Sequence, residues 1–473
     1  MNVHFVSLGC PKNRVDTEVM LGHTEEAGHR LVAAPETAEV IVVNTCGFIG
    51  EAKQESIDAI LEMARHKQAG TCKRLVVAGC LSQRYPKELA AEMPEVDQFL
   101  GTDEVGAIAK AISGTIARLS VVDTPAYLYD DAAPRRRSQA PHSAYVKIAE
   151  GCDRPCAFCI IPKLRGPQRS RAPESVLREA RDLASGGTRE ICLVAQDLTT
   201  YGTDLLIGDP ERVPEPPRDG LRSAEPSFVH ANGRIREPPR LATLLRALAG
   251  IEELGWIRLH YAYPTACSDE LLDVIGGEPR VAKYLDVPIQ HVDSGVLKAM
   301  RRGYGERQVR DLVARFRQRV PNGTFRTTFI AGHPGETDAA FQSLCDFVRE
   351  ADLDHVGIFN FSREEGTVSG MLPKRVPQKE IDARRRELLR IQREVSKKKL
   401  RAMRDRILRV LVEGASDESE YLLMGRHEGQ APEIDGQVYL SLSPDAVAPA
   451  AGTFVEARVT HSAEYDLAAE IIN

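Results

Sequence analysis

The sequence predicts an α/β chain in three parts: an N-terminal doubly wound parallel-sheet domain, a partial (β/α)6 barrel, and a small all-β barrel. Three observations predict it. Short apolar runs alternate with helical patterns over the first 115 residues, the alternation resumes over 143–376, and beyond 406 only short strands between turn residues remain. The 473 residues, 42% of them hydrophobic, suffice for several separate cores.

In the first part HFVSLG (4–9), EVIVVN (39–44) and RLVVAG (74–79) read as buried strands. Helical spacing over 16–28 and 51–68 connects them, which makes 1–115 a helix-covered parallel sheet. Residues 116–142, with PRRR at 134–137, read as a linker. Six strand candidates follow, at 144–150, 190–196, 256–262, 284–290, 325–332 and 355–362. Each of the first five leaves room for a helix, so 143–376 suits a partial barrel with its chemistry at the carboxyl ends of the strands. Between Thr203 and Arg240 prolines and charges crowd an aperiodic stretch, which predicts a long loop inserted after the second strand. Residues 377–406 predict a basic helix with Ile381, Leu388, Ile391 and Val395 near helical spacing. The runs RILRVLVEG, EYLLMGR, GQVYLSL, TFVEARVT and DLAAEII predict a small barrel over 407–473.

The net charge of -6 hides an asymmetry. Lys374 to Arg409 carries fifteen basic against five acidic residues, and Val410 to Asn473 two basic against twelve acidic, nets of +10 and -10. No apolar run reaches the roughly eighteen residues of a membrane helix, and MNVHFVSLGC lacks the basic and apolar blocks of a signal peptide. The expectation is a soluble cytoplasmic chain without a membrane partner. Its ten cysteines then point to metal or redox work and to plain burial rather than to disulfides.

The segment EGCDRPCAFCIIP sets Cys152, Cys156 and Cys159 at C-x3-C-x2-C just after a strand. Three thiolates on one tight loop can hold an iron–sulfur cube and leave one iron open. The amine and carboxylate of S-adenosylmethionine can chelate that iron, and an electron from the cluster can then cleave the sulfonium to a carbon radical. A zinc site or buried thiols are the competing readings, although structural zinc wants four ligands and favours C-x2-C pairs. Cys10, Cys46 and Cys80 form a second trio, each ending one of the three strands of the first domain and each beside glycine. Parallel strands bring such ends together, so a second cluster is the functional reading and burial of cysteine the plain one. Cys72, Cys192, Cys267 and Cys345 read as ordinary thiols.

Weaker candidates for cofactor contact are Phe158 (a ring for adenine), Gln196 and Gln290 (polar strand ends), and Gly332 and Glu336 of the turn GHPGE. Each has a plain counterpart: a core aromatic, a loop hydrogen bond, a simple turn. His260, His291 and His333 also lie near strand ends and are not assigned as metal ligands.

The order SLGCPKN, NTCGFI, VVAGC, GCDRPCAFCIIP, RGPQRSR, HYAYP, VPIQH, RTTFIAGHPGE and QAPEIDG resembles the methylthiotransferases of the radical S-adenosylmethionine superfamily, over nearly the whole chain outside 203–240. The resemblance implies an N-terminal cluster domain, a partial radical barrel and a C-terminal TRAM barrel. It implies two [4Fe-4S] clusters, the radical one on Cys152, Cys156 and Cys159 and the auxiliary one on Cys10, Cys46 and Cys80. It implies sulfur insertion into a C–H bond followed by methylation from S-adenosylmethionine. SLGCPKNRVDTE and HYAYP look like the protein-modifying branch, whose substrate is the β-carbon of an aspartate in ribosomal protein S-twelve.

The acidic final segment agrees, since a barrel that grips RNA should be basic. The basic helix allows contact with ribosomal RNA or docking onto the acidic barrel. A transfer-RNA adenosine enzyme and a non-catalytic cluster protein are the alternatives. Electron donor and sulfur source are not legible. Two departures from the family pattern are the long loop and His333, where phenylalanine is usual.

Overall fold

The computed structural model describes residues 1–205, 240–416, 418–419, 421–442 and 447–472; apart from its ends, the expected loop between Thr203 and Arg240 lies outside them. The first domain is one parallel six-stranded sheet. Its order is Arg30–Leu31, Asn2–Ser7, Val40–Thr45, Arg74–Gly79, Gln98–Leu100, Leu119–Ser120. Alternation along Val40–Thr45 sends Val40 and Val42 to one face and Ile41 and Val43 to the other. Helix Pro11–Glu26 covers the first face and helix Gly50–Ala69 the second. The chain winds outward both ways from the junction of Asn2–Ser7 and Val40–Thr45, where a crevice opens at the carboxyl ends.

Two boundaries differ from the sequence reading. The first helix starts at Pro11 rather than residue 16, because proline is at home at the first helical position and its missing N–H has no intrahelical partner to lose. The segment read as a linker contributes Leu119–Ser120 as the sixth strand. Arg135 then pins that segment by ion pairs to Glu18 of the first domain and Glu179 of the second.

The second domain is the expected partial barrel. One triplet of parallel strands is Ser143–Lys147, Glu190–Val194 and Trp256–Leu259; the other is Tyr284–Asp286, Thr324–Ala331 and His355–Asn360. A parallel bridge from Ile257 to Val281 joins them. Ile191, Leu193, Ile257, Leu259, Phe325 and Phe329 face the surrounding helices and build the main core. The opposite parity faces inward and divides: Glu190, Arg258, Asp286 and Arg326 make a charged part of the barrel interior, while Tyr145, Cys192 and Val194 make an apolar part packed with the first helix. The basic helix, Gln378–Arg401, packs on His355–Asn360 and on helix Asp338–Glu350, with Leu388 and Ile391 in the main core and Ile381 buried against Gly332. It is the sixth helix of the barrel, and its charges line the outer side of an ordinary amphipathic element. Gly332, with φ +83°, permits its approach: a Cβ there would stand 2.3 Å from Ile381.

The last part closes into a five-stranded barrel in the order Ile407–Ala415, Leu422–His427, Val438–Ser441, Leu467–Ile471, Phe454–Ser462. It docks at the amino ends of the larger barrel's strands. Trp256 meets Phe454 edge-on with centroids 4.8 Å apart, and the Tyr284 hydroxyl donates to Asp435 at 2.7 Å. Glu190, fully buried, accepts from Arg258 and from Arg426 across the interface. Among the described residues no helix is long and apolar enough to cross a membrane.

Part of the acidic excess is spent inside the molecule. Glu433 pairs with Arg14, Asp435 with Arg326, and Glu464 with Arg393 and Lys397. The net charge of the segment therefore overstates the field that this barrel presents to a partner.

Burial alone would raise the Glu190 carboxyl, but Arg426 and Arg258 outweigh it and lower it from the ordinary 4.5 to about 2. Its contribution is then complete above pH 4.5 and is lost as pH falls towards 2. Glu190→Ala leaves two buried guanidiniums without their carboxylate, and should cost about 3–5 kcal/mol at neutral pH by denaturant unfolding. Limited proteolysis should show the C-terminal barrel released first.

Candidate active site

Three loops meet at the crevice of the first sheet. Leu8 N–H donates to the Asn44 carbonyl at 3.0 Å, which aligns the first loop with the second. Gly9 (φ +88°) lies against Cys46: a Cβ there would be 2.8 Å from the Cys46 Cβ and 3.1 Å from its Sγ. A Cβ on Gly47 would meet the Cys80 carbonyl at 2.7 Å. These glycines let the loops carrying Cys10, Cys46 and Cys80 close on one another. Cys10 caps helix Pro11–Glu26, and Cys80 opens helix Cys80–Arg84. Burial, then the neighbouring Cys80 and Cys10, push the Cys46 thiol up to about 12.

The second trio rides the loop after strand Ala149–Glu150. A Cβ on Gly151 (φ +81°) would strike the Pro167 carbonyl at 2.0 Å, so only glycine turns the chain here. Cys152 N–H donates to Gly166 O at 3.1 Å, Cys159 N–H to Cys156 O at 3.1 Å, and Ala157 N–H to Met300 O at 2.9 Å. Burial, then Cys156 and Cys152, push the Cys159 thiol up to about 12.

The thiols suit the clusters expected of them. None is in a disulfide, and thiols that oppose one another's ionisation are relieved by a cationic centre among them. Among the described residues, no three His, Cys, Asp or Glu side chains close around the space of a single metal ion.

Among the residues that sequence reading missed is Arg302, beside the radical trio. Arg302 donates from Nη1 to Cys156 Sγ at 3.1 Å. It is held there by Pro288 O and the Tyr304 hydroxyl, both at 2.7 Å, and by the Tyr263 ring 4.4 Å away. Nothing in RRGYG announces this, because the partner cysteine lies 146 residues away.

The weaker candidates divide. Gln196 donates to Glu150, and its buried Oε1 has no partner. Gln290 stands in the left-handed region (φ 79°), also with a buried, unpartnered Oε1. Two orphaned acceptors at barrel strand ends are what a ligand's N–H and O–H groups would satisfy. Glu336 instead turns onto its own loop, accepting from the Gly332 N–H and facing Arg384 at 3.4 Å and His291 at 3.5 Å. Phe158 packs against Val296, Met300 and Ala340. His333 bonds Ser369 at 2.8 Å, and burial holds it down to about 4.

A buried ionic quartet separates the two trios. Lys147 pairs with Asp16 and Glu150; Arg165 pairs with the same two carboxylates. Arg165 also donates to Cys80 Sγ at 3.3 Å and to Asn13 at 3.1 Å. Burial would raise the Glu150 carboxyl, but Lys147 and Arg165 hold it well below its ordinary value. Arg165→Met should therefore destabilise the protein by about 3–5 kcal/mol in chemical unfolding, with Arg165→Lys falling between.

The comparisons agree with this architecture. Three family descriptions match: an uncharacterised protein family, UPF0004, over residues 2–101, the radical SAM superfamily over 146–348, and the TRAM domain over 406–472. A protein of Sorangium cellulosum named ribosomal protein uS12 methylthiotransferase RimO is 50% identical over all of this chain and 91% of its own length. Proteins of the same name from Myxococcus xanthus and Geobacter sulfurreducens are each 46% identical, over all of this chain and 92% and 98% of their own lengths. Among solved structures, the radical S-adenosylmethionine methyltransferase TsrM from Kitasatospora setae shares the fold at 14% identity. It superposes with a TM-score of 0.52 over 78% of this chain and 77% of its own. With identity of this level along the whole chain, and the two thiol trios seated where its domains meet, the chain belongs to the radical S-adenosylmethionine methylthiotransferases.

Proposed function

We propose that this enzyme methylthiolates the β-carbon of an aspartate in ribosomal protein uS12. The observation that carries the reading is end-to-end identity of 50% with a relative of that name, not the charge of the C-terminal barrel. Cys152, Cys156 and Cys159 hold the radical cluster in this reading, and Cys10, Cys46 and Cys80 an auxiliary one. One S-adenosylmethionine at the first cluster would supply the hydrogen-abstracting radical, a second S-adenosylmethionine the methyl group, and the auxiliary cluster an open iron for sulfur.

The chain's own residues then have distinct tasks. Arg302 fixes Cys156 by a charge-assisted hydrogen bond, and Arg165 does the same for Cys80. Gln196 and Gln290 offer acceptors to the nucleoside or methionyl part of the cofactor. Gly332 and Glu336 shape the turn behind it, and Phe158 borders the cluster loop. Exposed Arg401, Arg404 and Arg406, where the sixth helix meets the small barrel, support contact with ribosomal RNA beside the substrate. The cytoplasm, where ribosomes are built, is the place of action.

Mass spectrometry of uS12 and of transfer RNA from a deletion strain tests the substrate. Loss of the aspartate modification alone is expected; loss of the RNA modification alone would replace this reading with the transfer-RNA one. Anaerobic reconstitution should give about eight irons per chain. Alanine at Cys152, Cys156 and Cys159 together should remove about half of them and all reductive formation of deoxyadenosine.

A further inference from the structure

Lys12 sits two residues beyond Cys10, in the first turn of helix Pro11–Glu26. That is a poor place for a cation, since the helix dipole presents its positive end there. The residue is nevertheless only 8% exposed, and a buried ammonium is costly unless something meets its charge. What meets it is an aromatic face: Nζ lies 3.4 Å from the centre of the Tyr261 ring. Tyr261 follows the barrel strand Trp256–Leu259 and stands in the left-handed region at φ 66°, where a bulky residue is disfavoured. The contact therefore joins the auxiliary thiol loop to the barrel mouth through a strained aromatic.

The other cations of this junction are committed. Lys147 and Arg165 share Asp16 and Glu150; Arg154 pairs with Asp197; Arg302 is divided among Cys156, Pro288 and Tyr304. Among the described residues, no carboxylate forms an ion pair with Lys12. Burial opposes the Lys12 charge, and Tyr261, Cys10 and, least, Glu150 outweigh that opposition. The junction thus holds one buried ammonium that has company for its charge but no carboxylate paired with it directly.

We infer that Lys12 binds the side-chain carboxylate of the substrate aspartate and so selects it over an uncharged residue. The inference rests on the substrate reading above and adds to it a specificity-determining residue. Its chemistry is consistent with the reaction, because the carbon to be modified is bonded directly to that carboxylate. Holding the carboxylate on Lys12 keeps this carbon beside the loop of Cys10 and facing the barrel. The cation–π contact with Tyr261 keeps the ammonium in place before the substrate arrives, so little ordering remains on binding.

The test uses the iron-loaded enzyme and two fluorescently labelled peptides from uS12, one with the target aspartate and one with asparagine there. Wild type should bind the aspartate peptide about 10–100-fold more tightly in anisotropy titrations, the range of one hydrogen bond to a charged group. Lys12→Met should erase the preference, with a matching rise in KM, an unaltered iron count and little change for the asparagine peptide. Lys12→Arg should keep most of the preference. A Lys12→Met enzyme that keeps its iron and still prefers aspartate overturns the assignment. So does equal binding of both peptides by wild type, which requires no variant at all. A wild type that modifies transfer RNA and ignores the aspartate peptide overturns the substrate reading itself.

Discussion

The quartet of Asp16, Lys147, Glu150 and Arg165 is the constraint on which the site depends. All four are nearly excluded from water, and two charges of each sign leave no net charge. Desolvating an ion costs several kcal/mol even after relaxation, so the arrangement is tolerable only when all four partners are present. Asp16 comes from the first helix; Lys147, Glu150 and Arg165 come from the barrel. The charges are therefore satisfied only when the two domains sit in one register. That register puts Cys80 within hydrogen-bond reach of Arg165, fifteen residues beyond Glu150 and six beyond Cys159. An apolar interface of the same area would hold the domains together with less control over their register.

A second, similar device fixes the C-terminal barrel. Glu190 takes Arg258 from its own sheet and Arg426 from the small barrel. Both interfaces use a carboxylate shared by two cations or a cation shared by two carboxylates, so neither can be half formed without a buried charge left over. The charged part of the barrel interior follows from this. Several of its inward positions are occupied by the groups that register its neighbours, and most of its apolar positions face the helices.

The sheets and helices were legible because burial on both faces writes itself as short apolar runs, as in VIVVNT and EICLV. The thiol trios were legible because spacing and strand ends are local signals. Partnerships across long separations were not. Arg302 reaches Cys156 from 146 residues away, and Asp16 reaches Lys147 from 131. Nor does composition tell a helix that covers a barrel from one that reaches for RNA. The run 377–406 looked like an independent basic element because its charges outnumber its apolar residues; the buried side of Ile381, Leu388 and Ile391 made it the sixth barrel helix.

The charge of the last segment carries less than its size suggests. A net of -10 summed along the sequence treats every carboxylate as exposed, yet Glu433, Asp435 and Glu464 neutralise cations elsewhere in the same molecule. An interface between two segments of opposite charge consumes both excesses at once, and the field left at the surface is what remains unpaired. Discrimination between a carboxylate on a protein and a base on an RNA then has to come from groups that touch the reacting residue. Those groups lie where the first helix meets the barrel mouth. There, among the described residues, the groups that could meet a ligand include two unpartnered amide oxygens, on Gln196 and Gln290, and the ammonium of Lys12, which no carboxylate pairs with directly. Selectivity built from so small a set depends on its rigidity, and that is what the ionic quartet beside it supplies.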